Sequence, residues 1–113
     1  MSVSDFELGK YKALSYLYEC IREGVEPNDA KAQEVTKLNP VFWRAVVNDL
    51  VRNELVTAVE VKTLKETLYG NLQITSAGVA YLEENPGARK AREFLGAAFE
   101  TALKVAVEAT RYL

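Results

Sequence analysis

LNPVFWRAVVNDLVRNELVTAVEV, residues 38–61, changes its hydrophobic period halfway along, and that change decides the fold. Trp43, Val46, Val47 and Leu50 recur at i, i+3, i+4 and i+7, the stripe of an amphipathic helix. Asn39 is a good N-cap, and Pro40 stands at the first helical position, where a missing N–H costs nothing. Arg44, Asn48 and Arg52 occupy the opposite face, and the helix should end near Asn53. From Leu55 the segment LVTAVEV is β-branched and alternating, so it reads as a strand. KTLKETLYGN contains a turn and LQI a short second strand. Together they predict a β-hairpin over about residues 55–74, with its loop near Thr63–Gly70.

Upstream, Leu8, Tyr11, Leu14, Leu17, Tyr18 and Ile21 have helical spacing, and Gly24 stops a first helix over about 6–23. Asn28 or Asp29 caps a short second helix through about Thr36. Its apolar content is thin, so it needs tertiary support. Downstream, Thr75 caps a helix ending at Asn85–Pro86–Gly87, and Gly78 lets that helix approach its neighbour closely. Ala88–Leu113 reads as one long helix. The expected class is α+β, mostly helical: three helices, a hairpin, one helix and a long C-terminal helix, the order of a winged helix-turn-helix. Residues 1–86 form the domain, and 87–113 serve it as a packing or dimerisation element.

Composition narrows the chemistry. The chain has 113 residues, 49% hydrophobic and 27% charged, with no histidine and a single cysteine. One domain with one core is expected. Without histidine there is no imidazole base, metal ligand or triad member. There is also no Gly-rich phosphate loop, no Cys/His metal spacing and no GxSxG. Glu83 and Glu84 are adjacent on a helix and do not face each other. No enzyme, metal or cofactor is expected. Cys20 cannot form an internal disulfide, which suits a reducing cytoplasm, and it reads as a small buried hydrophobe. The N-terminus lacks signal-peptide order. The apolar stretch 94–109 is interrupted by Glu100, Lys104 and Glu108, so no membrane span is expected.

Three pieces of the chain resemble the YjcQ-like family, small and largely uncharacterised winged-helix proteins of bacteria and their prophages. They are the opening helix with YKALSYLYE, the run from Trp43 through Val46–Val47, Leu50, Arg52–Asn53 and Leu55–Val56, and Ile74–Thr75 with Gly78 and Tyr81–Asn85. The final helix is longer and richer in alanine than the family pattern. The resemblance implies the winged-helix fold more than an activity.

In a winged helix the third helix enters the major groove and the wing touches the backbone. Arg44, Asn48, Val51 and Arg52 are then groove-facing, since Arg and Asn pair with guanine and adenine edges. Lys37, Lys62 and Lys65 are placed to neutralise phosphates. The net charge of −2 divides into −3 over residues 1–30 and +1 over 31–113, and residues 37–65 carry +2. The expected reading head is thus the mildly basic part of an acidic chain. Trp43 is expected in the core, and Tyr69 packed on its strand. Tyr11, Tyr16 and Tyr18 spread around the first helix, so some face beyond the domain's own core. In the last helix one stripe (Leu95, Ala98, Ala102, Val105, Ala109, Tyr112) covers the core. A second (Phe99, Leu103, Ala106, Val107) is left for a homodimer partner. Two functions follow: a dimeric protein that binds double-stranded DNA and regulates transcription, or a protein-interaction module without DNA binding, such as a phage-encoded inhibitor.

Overall fold

The computed structural model describes residues 3–113. The order is α1 (Asp5–Arg22), α2 (Asp29–Thr36), α3 (Pro40–Arg52), β1 (Val56–Lys62), β2 (Thr67–Ile74), α4 (Ser76–Glu84) and α5 (Pro86–Thr110). This is an α+β domain with a two-stranded antiparallel hairpin, an arrangement compatible with a winged-helix-like fold. The caps follow the side-chain chemistry of the sequence. Asn28, Asn39 and Thr75 accept from Lys31 N, Phe42 N and Gly78 N, at 3.0, 2.8 and 3.0 Å. Gly24, with φ 68°, ends α1.

α1 lies at the centre, touched by every other helix and by β2. That explains its tyrosines. Tyr11 and Tyr16 are buried inside the chain, and Tyr18 is half-buried beneath the Arg22 guanidinium. The expectation that some of them need a further surface gives way because α4 and α5 cover the sides that α2 and α3 leave open. Tyr16 is completely buried, yet its hydroxyl is fully employed. It accepts from Asn28 N at 3.1 Å and meets Thr110 Oγ1 at 2.7 Å. Thr110 Oγ1 in turn donates to the Ala106 carbonyl at 2.8 Å, so Tyr16 is the donor of that pair. One side chain ties α1, the α2 entry and the end of α5. Cys20 is buried beside it.

Three expectations about the end of the chain are corrected. Pro86 and Gly87 belong to the first turn of α5, with Asn85 as its N-cap through bonds from Gly87 N and Ala88 N. The helix also breaks at Gly96, which sits at φ 64°, ψ −159° and opens onto empty space. The part beyond Gly96 lies on α1 through the stripe assigned to a partner. Phe99, Leu103 and Val107 are buried in the chain's own core, with the Phe99 ring 5.9 Å from that of Tyr11. Ala106 is half-buried. Of the stripe assigned to the core, Ala98, Ala102, Val105, Ala109 and Tyr112 are exposed, Val105 at 66%, and Leu95 is half-buried against the core.

The hairpin is also longer than expected on its second strand. Gly70, read as part of the loop, pairs with Val59 inside β2. The true turn is Thr63–Glu66, closed by Thr63 N donating to Glu66 O at 2.8 Å and Glu66 N donating to Thr63 Oγ1 at 3.0 Å. The register shifts between Thr57 and Val59, and Asn71 takes φ 53° there as the extra residue of a bulge.

Burial pushes the Tyr11, Tyr16 and Tyr81 phenols and the Cys20 thiol above their ordinary values; at Tyr81 the Glu7 carboxylate adds to it. At neutral pH these groups are protonated in both folded and unfolded chains and contribute nothing differential. Above about pH 9–10 the unfolded chain releases protons that the folded chain keeps, so stability falls as pH rises. Lys12, pushed down by burial and by Lys37, acts in the opposite sense, but it is one group against four. Between pH 8 and roughly pH 11 the thermal midpoint should drop by about 5 °C or more. An unchanged midpoint would mean that the phenols reach water in the folded state.

Candidate nucleic-acid interface

α3 has three distinct sides. Val46, Val47 and Leu50 are buried against α1 and the hairpin base. Trp43 is only half-buried. It lines, with Pro40, Arg44, Val47, Leu68 and Tyr69, a cleft of about 310 Å³ between α3 and β2. The tryptophan expected in the core therefore belongs to the seam that joins helix and hairpin, and Tyr69 packs there with it. Phe42 is half-buried, its ring 6.0 Å from Phe6 of α1.

Arg44, Asn48 and Arg52 recur every four residues along the remaining side. Arg44 donates to the Glu66 carboxylate of the hairpin turn, so this side of α3 is the one the hairpin flanks. Asn48 is half-buried, Arg52 exposed in the last turn, and Val51 half-buried. Lys37 is exposed and takes φ 58° where α2 ends, immediately before α3. Lys65 is exposed in the hairpin turn, and Lys62 lies 3.9 Å from Glu60 in an exposed, weak pair. Among the described residues, Lys37, Arg52 and Lys65 have no ion-pair partner.

The acids are disposed unequally. Asp49 turns towards α1, where Lys10 holds it at 3.1 Å. Lys10 also stands over the Tyr81 ring at 5.1 Å, and the Tyr81 hydroxyl donates to Glu7, so this polar cluster fastens α1 to α3 and α4. Its negative charge is thereby withdrawn from Arg52. Glu66, in contrast, neutralises Arg44. A charge balance ending at residue 65 omits this carboxylate, and nothing local in the sequence links it to a side chain 22 positions earlier.

Asp29, which the sequence offers only as an alternative to Asn28 for capping α2, instead holds the hairpin in place. The Asp29 carboxylate, at the start of α2, accepts from Asn71 N at 2.7 Å and Leu72 N at 3.0 Å. Both amides belong to the bulge, where the ladder leaves them without a strand partner.

The hairpin also presents apolar side chains to solvent. Val61 and its cross-strand partner Leu68 are 52% and 42% exposed, Val59 is 56% exposed, and Leu64 at the tip is fully exposed. Among the described residues no cluster of three or more metal-ligating side chains is present, and no helix is long and apolar enough to cross a membrane.

Helices α1–α3, the hairpin and α4 define a small α+β domain that presents one helix and one hairpin side by side. The YjcQ family, described as YjcQ protein, matches residues 11–98. The chain belongs to that family. No curated protein and no solved structure matches the chain.

Proposed function

We propose that the α3–hairpin face binds duplex DNA, with α3 towards the major groove and the hairpin turn along the backbone, as in regulators of transcription. The observation that carries this reading is the Arg44–Asn48–Arg52 row on the hairpin-flanked side of α3, with Asp49 turned inward onto Lys10. Asn48 and Arg52 are of the types that pair with base edges. Lys37, Lys62 and Lys65 supply phosphate neutralisation. With three unpaired cations, log affinity should fall with log salt at a slope near −3. Arg52→Ala should flatten that slope by about one. Glu66→Gln frees Arg44, and should steepen the slope by about one and tighten binding about threefold or more at low salt. A duplex titration across a salt series reads the parent chain and both variants. Absence of binding at about 50 mM salt, where non-specific contacts are strong, would remove the proposal.

The exposed strip Val59, Val61, Leu64 and Leu68 favours a second reading, a protein-interaction module that uses the hairpin. Val61→Lys separates the two. On the DNA reading it leaves duplex affinity unchanged or raised, whereas on the protein reading the strip, rather than Arg52, is the sensitive position.

A further inference from the structure

Between α2 and the outer side of α5 runs a groove of about 500 Å³. Val35 of α2 and Leu95, Ala98, Ala102, Val105 and Ala109 of α5 form its apolar walls. Its rim carries Lys12, Lys31, Glu34 and Lys37. Lys31 lies 3.3 Å from Glu34, so those two cancel. Lys12 and Lys37 have no ion-pair partner among the described residues. They stand close enough that the charge of Lys37, after burial itself, weighs against protonation of Lys12; Asp5 offsets this only in part. An apolar trough thus carries on its lining two ammonium groups that have no ion-pair partner among the described residues.

We propose that this groove binds a long-chain fatty acid, its hydrocarbon chain along α5 and its carboxylate between Lys12 and Lys37. Charge and polarity select the occupant: an apolar lining of valine, leucine and alanine carries the two ammonium groups of Lys12 and Lys37, which suits one anionic headgroup on a hydrocarbon chain. The roughly 17 Å that α5 climbs from Ala98 to Ala109 is long enough for most of such a chain. Ala102, Val105 and Ala109 of the α5 wall lie beyond the family-matched residues 11–98, and Leu95 and Ala98 lie within them.

The test is a fluorescence titration of the full chain with cis-parinaric acid, followed by competition with oleate and with oleyl alcohol. Saturable binding with one site per chain is expected, with oleate competing at least about tenfold better than the uncharged alcohol. Lys12→Ala with Lys37→Ala should weaken oleate at least about tenfold and leave the alcohol unchanged. Ala102→Trp places an indole in the trough at an exposed position and should abolish binding while the melting temperature is retained. Equal affinity for oleate and its alcohol would overturn the proposal, as would undiminished binding in the Ala102→Trp chain. It would also be overturned by a chain that sediments as a dimer, becomes monomeric on Ala102→Trp and binds no fatty acid, since a second copy then fills the groove. Binding to anionic phospholipid vesicles without binding to free oleate would overturn it in favour of a membrane surface.

Discussion

Replacing Gly78 by alanine should destabilise the domain by about 3 kcal/mol, the largest effect expected of any single methyl group in this chain. A Cβ at that position would lie 2.3 Å from the Leu55 carbonyl oxygen and 2.7 Å from Ile74 Cγ1. The carbonyl cannot retreat freely, because it accepts from Thr75 N at 3.1 Å. Thr75 Oγ1 also donates to the Glu54 carbonyl at 2.7 Å, and accepts from Gly78 N as the α4 cap. α3's exit, the base of the hairpin and the start of α4 are therefore stapled together within one turn of helix. An alanine must lift α4 away from that junction or displace the first hairpin pair, Val56 with Ile74. Overpacking of this kind costs about 1–3 kcal/mol, and each hydrogen bond strained adds about 1. Urea unfolding of Gly78→Ala against the parent chain measures the difference. A loss below about 1 kcal/mol would show that the junction yields and that the close approach is not what fixes α4.

Asp29→Ala should cost about 2–3 kcal/mol and loosen the hairpin selectively. Its carboxylate serves the Asn71 and Leu72 amides together, and hydrogen bonds to an ionised acceptor are worth about 1.5–3 kcal/mol. Alanine leaves both donors unsatisfied beside a half-buried strand, and removes an anion from the first turn of α2, where the helix dipole favours one. The Asp29→Asn variant keeps one acceptor oxygen and should lose roughly half as much. Amide hydrogen exchange is the direct readout. Protection at Asn71, Leu72 and their ladder partners should fall more than at Leu14 or Leu50 of the core. Uniform loss across the chain would mean that the hairpin is not an independently opening unit. Because the hairpin carries Lys62 and Lys65, the same variant should weaken duplex binding although Asp29 itself lies at the bulge.

How much of this was legible in the sequence depended on whether the deciding interaction was local. Caps are local: Asn39 with Pro40, and Thr75 three residues before Gly78, announced two helix starts correctly. The switch of period at Leu55 announced the hairpin. Gly78 was read as a close-approach residue, and the Leu55 carbonyl is the reason. Gly70 misled the strand reading, since glycine marks both turns and strand positions with little side-chain packing, and the actual turn is made by the Thr63 hydroxyl. On α5, apolar residues in nearly every direction left periodicity unable to choose a face. Side-chain size does not choose it either: Phe99, Leu103 and Val107 fill the space over α1, yet Phe94 and Val105 lie outside while Ala88 and Ala91 are buried. Gly96 reads like any tolerated helical glycine until its positive φ is seen. Asp29 and Glu66 act across 42 and 22 residues, so no spacing rule finds them.

The most direct test of the account is a titration of isotope-labelled protein with a short duplex, followed by amide and side-chain NMR shifts. Binding through the α3–hairpin face predicts that Lys37, Asn48, Arg52 and Lys65 shift first, together with the Arg44 guanidinium as it exchanges Glu66 for phosphate. The α5 residues lining the groove should remain still. Shifts confined to α5, or none at low salt, would contradict it.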